Sequence, residues 1–206
     1  MRRIFLLISI LIFSLRAHSF YTEIGASYSF QRQVYGDSYE SKINDNTVLA
    51  TVALYFFSLT AVELTYSWNK WDNLNKTISE IQQGSDIWVT GNRTTVDIQN
   101  FGIGITQAFN STKAFLRPMI GLGIVRRLTE NTGYVDYYDN GKDESIRLDK
   151  VTENTNNDLL YASIILKLRI VEGLFLSTSL RTLFAPKKYT EAQNNLRFFV
   201  GFSWLL

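Results

Sequence analysis

The last eleven residues, Leu196-Arg-Phe-Phe-Val-Gly-Phe-Ser-Trp-Leu-Leu206, alternate at period two. Leu196, Phe198, Val200, Phe202, Trp204 and Leu206 fall on one face; Arg197, Phe199, Gly201, Ser203 and Leu205 fall on the other. Side chains alternate across a strand, so the segment reads as a strand with one wholly apolar and one mixed face. It runs to the final residue without a polar tail, which predicts a strand that closes a sheet.

Seven earlier segments share the pattern. Phe20 to Gln31 sets Phe20, Thr22, Ile24, Ala26, Tyr28 and Phe30 against Tyr21, Glu23, Gly25, Ser27, Ser29 and Gln31. Thr47 to Phe57 carries Val48, Ala50, Val52, Leu54 and Phe56 on its apolar face. After Ser58-Leu59-Thr60, Val62, Leu64, Tyr66 and Trp68 alternate with Glu63, Thr65 and Ser67. Phe101, Ile103 and Ile105 follow, with Val96 and Ile98 out of phase, which predicts a bulge or the end of the apolar face near Gln99. Leu116, Pro118, Ile120, Leu122 and Ile124 oppose Arg117, Met119, Gly121, Gly123 and Val125. The last two are Leu160 to Ile170, opposite Tyr161, Ser163, Ile165, Lys167 and Arg169, and Leu174 to Phe184, opposite Ser177, Ser179 and Arg181. Eight strands of about ten residues each suit a tilted membrane crossing.

Four polar loops alternate with short turns: Val34–Asn46, Asn69–Asp97, Leu128–Asn157 and Pro186–Asn194. Asn140-Gly141, between Tyr134–Tyr138 and Ser145–Leu148, predicts a two-residue hairpin turn within the third. Tyr28, Phe30, Trp68 and Phe198 at one end, and Phe20, Phe56 and Trp204 at the other, are candidate aromatic girdles. The chain resembles the small eight-stranded outer-membrane barrels of the OmpA and OmpX type. Its terminal strand is similar to their C-terminal assembly signal, Phe198, Val200, Phe202, Trp204 and Leu206, although Leu206 stands where that family usually has Phe. The resemblance implies an all-β, eight-stranded antiparallel up-and-down transmembrane β-barrel. It further implies insertion by the barrel-assembly machinery, contact with outer-membrane lipid, long loops outside and short turns in the periplasm.

A soluble barrel such as a lipocalin alternates in the same way with its faces reversed. The mixed face argues against it: glycines and serines such as Gly25, Gly104, Gly123, Ser27, Ser163 and Ser177 suit a narrow interior better than a solvent-facing surface.

Met1-Arg2-Arg3, the apolar run Ile4 to Leu15 and Ala17-His18-Ser19 read as a secretory signal peptide, residues 1–19, leaving a barrel domain of residues 20–206. Without Arg2, Arg3 and Arg16, the 21 basic side chains fall to 18 against 19 acidic ones, a net charge of about −1. No basic stripe remains for nucleic acid. The chain has no cysteine, hence no disulfide, thiolate metal site or lipid-bearing N-terminal Cys.

Glu23, Glu63, Arg117, Lys167, Arg169, Arg181 and Arg197 fall on the mixed faces. The first five lie near periplasmic ends and are expected to form one salt-bridged layer plugging the lumen, since charges removed from water must be paired. The excess of five basic over two acidic groups leaves open a narrow channel favouring anions. Catalysis by a histidine-dependent triad is excluded after export, because His18 is the only histidine; no enzyme is expected. Asp136 to Arg147 puts Gly141 at the sixth position of a Ca²⁺-type loop, but Tyr138 and Arg147 stand where oxygen ligands are needed. Neither cofactor nor metal is expected. The reading is a monomeric barrel that presents two long loops to a surface partner. Trp71, Trp88, Tyr134, Tyr137 and Tyr138 are either contact residues or stiffeners of protruding hairpins.

Overall fold

The computed structural model describes residues 21–35, 41–75, 79–80, 86–148, 151–186, 189–193 and 195–206. The expected signal peptide and Phe20 therefore lie outside the described residues. In chain order the strands are β1 (Tyr21–Tyr35), β2 (Ser41–Tyr55), β3 (Thr60–Asn75), β4 (Ser79–Glu80) and β5 (Ile87–Ala108). They continue with β6 (Leu116–Asp139), β7 (Glu144–Arg147), β8 (Val151–Val171), β9 (Leu174–Phe184) and β10 (Arg197–Leu205).

Eight of these, all but β4 and β7, form a closed antiparallel ring. Each pairs with its neighbours in the chain, and β10 pairs back onto β1 through Glu23↔Leu205 to Tyr28↔Val200. Closure leaves the membrane-length part of the sheet without an edge.

The period-two pattern decides which face is which. Ile24, Val52, Leu64, Ile103, Ile124, Ile164 and Phe202 point outward and are exposed, whereas Glu23, Glu63, Arg117, Lys167, Tyr55 and Tyr161 point inward and are buried. A water-soluble barrel would have the reverse. Continuous apolar surface on this scale far exceeds what soluble monomers expose. Tyr28, Phe30, Trp68 and Phe198 are exposed toward one end and Trp204 toward the other, where Phe57, Phe109 and Phe115 join it; Phe56 is half-buried.

Two glycine positions shape the interior. Gly104 and Gly123 face each other across β5 and β6, and Tyr161 is the cross-strand partner of Gly123. A Cβ on Gly104 would lie 2.1 Å from the Tyr161 hydroxyl, and one on Gly123 2.4 Å from its ring. The paired glycines are the floor on which that ring rests. At the turn between β8 and β9, Gly173 adopts φ 79, a conformation suited to glycine.

The strands are longer than the apolar pattern predicts, and three of the expected loops shrink accordingly. Most of Asn69–Asp97 and Leu128–Asn157 belongs to β3, β5, β6 and β8, and β1 and β2 claim all but residues 36–40 of the first loop. Pairing runs without a shift from Gly91 to Ala108, so no bulge lies near Gln99; the irregularity falls between Val89 and Gly91. Ile98 instead turns inward beside Asn100, which marks the end of the outward apolar belt. The hairpin at Asn140-Gly141 is also different. Asp139 pairs with Glu144, leaving a four-residue turn. Asp139 accepts hydrogen bonds from the Gly141 and Lys142 amides at 3.0 and 3.3 Å, and Asp143, not Gly141, takes the positive φ. An aspartate side chain that caps the turn removes the need for the Asn-Gly conformation.

At the tall end, β4 continues β3 and β7 continues β8 along the same neighbours. Asn75↔Asn92 is followed by Ser79↔Val89, and Gly133↔Val151 by Asp136↔Arg147. Each junction is offset by one residue. The result is a sheet ordered β4-β5-β6-β7 rising above the ring.

Candidate functional site

The inward side chains form three groups. In the first, Glu23 accepts hydrogen bonds from Lys167 Nζ and from the Tyr55 hydroxyl, the latter at 2.8 Å. An Arg117 guanidinium nitrogen lies 3.5 Å from the same carboxylate. Arg117 is fully buried, with its guanidinium carbon 4.8 Å from the centroid of the Tyr55 ring. The ring face offers a cation partial compensation for lost water.

The second group centres on Tyr161. Its hydroxyl donates to Glu63 at 3.3 Å, and Arg181 stacks over its ring with the guanidinium carbon 4.0 Å from the centroid. Arg181 also donates to Thr65 Oγ1 at 3.1 Å. Arg181 and Lys167 are the positive charges acting on Glu63.

The third group lies toward the tall end. Arg197 pairs with Asp45 at 2.9 Å and donates to Thr47. Asn69 donates to Asp45 and Thr47, and Arg127 reaches Asn100, which in turn donates to Ser67 at 2.9 Å.

The expected single layer is met in part, since Glu63 and Lys167 border one cavity. Glu23, Arg117 and Lys167 meet, while Glu63 sits with Tyr161 and Arg181. Arg169 is half-buried and, among the described residues, pairs with neither carboxylate. It stands beside a register irregularity between Arg169 and Val171 at the end of β8. Sequence reasoning missed Asp45 and Arg127 because both lie beyond the apolar belt, yet both continue the inward phase of β2 and β6. Tyr55 and Tyr161 were missed as partners of the charges. Among the described residues the inward inventory of the ring becomes six basic groups (Arg117, Arg127, Lys167, Arg169, Arg181 and Arg197) against three acidic ones (Glu23, Asp45 and Glu63).

Two small cavities lie among these groups. One of about 40 Å³ is bordered by Glu63, Ser163, Lys167, Ser177, Ser179 and Arg181. The other, of about 20 Å³, is bordered by Asn69, Asn100, Arg127, Arg181 and Arg197. At ~10–15 Å³ per water, they hold a few water-sized bodies.

None of the five aromatic contact candidates lies in a loop. Trp71 is in β3 and turns inward, lining a recess of about 140 Å³ with Gln31, Ile43 and Asp45. Trp88 pairs with Tyr138 across β5 and β6, and Tyr137 pairs with Val89 and Ile146. Tyr134 lies under the Arg147 guanidinium at 4.5 Å, and that guanidinium is fixed by Asp136 at 2.6 Å. The Tyr138 hydroxyl donates to Asp143. All five are half-buried. On the terminal strand, Phe198, Val200, Phe202, Trp204 and Leu206 are exposed on the outer face.

A closed ring of eight antiparallel strands with an apolar exterior defines the class. The N-terminal β-barrel domain of OprF from Pseudomonas aeruginosa is similar, with a TM-score of 0.52 at 11% identity, covering 91% of this chain and 97% of that one. The outer-membrane protein OprG of the same organism is 10% identical, with a TM-score of 0.49, over 91% of this chain and 95% of its own. No protein-family model matches the chain, and no curated protein matches it in sequence. The likeness to OprF establishes the fold: an eight-stranded up-and-down barrel of the small outer-membrane type.

Proposed function

We propose that this chain is a bacterial outer-membrane protein, exported through a cleaved signal peptide, whose barrel is a plugged stem carrying a sheet for contact with a surface partner. The apolar exterior supports residence in lipid, and the terminal strand with Trp204 supports handling by the barrel-assembly machinery. The paired charges and small cavities support a plug rather than a pore. No catalytic constellation enters this reading, and the barrel acts as a monomer.

The observation that carries the contact role is an unpaired edge. Val151 to Asp158 are all exposed and pair with β6 on one side. Pairing of β8 with β9 begins only at Leu160↔Phe184, so among the described residues no strand covers the other side. Neither Lys nor Pro blunts this stretch. Its free amides and carbonyls suit an extended segment of a partner protein, added as a further strand. The five aromatics stiffen the sheet that presents this edge.

Single prolines at Glu153 and Asn154 test the reading, because successive amides point to opposite sides of a strand. Cells displaying the chain are measured for adhesion to immobilised serum and matrix proteins. One of E153P and N154P removes a free-side amide and is expected to lower adhesion about tenfold while the barrel still assembles. Unchanged adhesion in both variants would remove the edge from consideration. The second reading, a narrow channel for small anionic solutes, draws on the excess of inward basic groups.

A further inference from the structure

Among the described residues the buried charges of the lumen are Arg117, Lys167 and Arg181 with two carboxylates, Glu23 and Glu63, all five more than nine-tenths buried. Three cations against two anions leave one positive charge uncompensated where water is scarce. A buried charge without a counter-charge is costly, whichever of the three is taken to bear it. The hydrogen bonding carries the same deficit: Arg117 has no close hydrogen-bond acceptor, the Glu23 carboxylate being 3.5 Å away.

The larger cavity lies where this excess charge can be answered. Its β8–β9 wall presents two cross-strand pairs, Lys167↔Ser177 and Ser163↔Arg181, on either side of the pair Ile165↔Ser179. Ammonium, guanidinium and hydroxyl groups thus face one space of about 40 Å³. Glu63 approaches from β3, and its carboxylate is engaged by Tyr161. We propose that this chamber binds one small monovalent anion of halide size, held between Lys167 and Arg181 by the serine hydroxyls. One such ion brings the five charges to neutrality. Room for about three water-sized bodies admits a halide and excludes larger organic anions. Arg181 borders both cavities, and Arg127 and Arg197 border the second, so further positive charge lies beside the chamber. The site is independent of any surface partner.

The test uses the full chain refolded in detergent micelles. Thermal unfolding is compared in sodium bromide and in sodium gluconate at equal ionic strength, gluconate being too large for the chamber. At ten times the bromide Kd, the midpoint is expected to be about 3–5 °C higher in bromide. The S177A/S179A variant, which removes two hydroxyls, is expected to lose that difference. Crystals grown in bromide should show an anomalous peak between Lys167 and Arg181, and this readout stands even if the variant does not fold. Bromide peaks only on the protein surface, or equal midpoints in the two salts, would overturn the proposal.

Discussion

Arg117 and Lys167 stand directly opposite each other on β6 and β8, and like charges so placed repel. Glu23 lies within reach of both, with Tyr55 fixing its second oxygen. Replacing it by an isosteric amide isolates two buried cations at once. E23Q is expected to destabilise the barrel by about 3–5 kcal/mol, read as a lower urea midpoint in refolded samples. E63Q is expected to cost less, because Tyr161 can donate to an amide oxygen as it does to the carboxylate. These carboxylates were legible as inward residues because each alternates with lipid-facing neighbours, Glu23 with Thr22 and Ile24, Glu63 with Val62 and Leu64. Asp45 and Arg127 have the same phase but lack that contrast: Asn44 and Asn46 flank one, Arg126 and Leu128 the other. Their partners were illegible because pairing across a lumen depends on which strands face each other at one height.

Individual strands outrun their apolar stretches for the same physical reason. Beyond the belt both faces of β3, β5, β6 and β8 mix polar with apolar residues, so the signal that distinguishes strand from loop fades while the backbone ladder continues. Side-chain pairs across the sheet take over part of the support. Arg93 holds Asp72 through two hydrogen bonds of 2.8 and 2.9 Å, and these bonds keep the Asp72 carboxyl below its usual range. A depressed carboxyl pKa contributes stability that is present above the unfolded-state value of ~4 and lost as pH falls through the folded value. The pair is partly solvated, so its worth is at most about 1 kcal/mol. Hydrogen exchange of the upper β3–β5 amides, corrected for intrinsic rates, is therefore expected to accelerate modestly on acidification below pH 4. D72N is expected to abolish that dependence. The turn at residues 140–143 adds a different lesson. Asn-Gly is a strong local signal, but Asp139 on its flank supplied a competing hydrogen-bond acceptor.

For the molecule as a whole, the inward side chains and the outward belt make opposite demands on solvent, and the closed ring separates them. With these charged groups packed against one another, the refolded chain is expected to insert into a planar bilayer without discrete conductance steps. Anion-selective openings that disappear in R117A would instead establish the channel reading. Eight strands were readable from alternation, and their inside-outside phase from alternation together with the small residues of the mixed face. The height of the β4-β5-β6-β7 sheet was not, because length above the lipid is set by pairing partners rather than by hydrophobicity. That sheet has a mechanical consequence. From Leu116↔Leu168 to Gly133↔Val151, β6 and β8 remain in unbroken register, so the outer edge is continuous with the embedded wall. A pull on that edge along the strand direction loads many ladder bonds in parallel shear instead of peeling them one by one, and the sheet behaves as a stiff mast rather than a hinged arm.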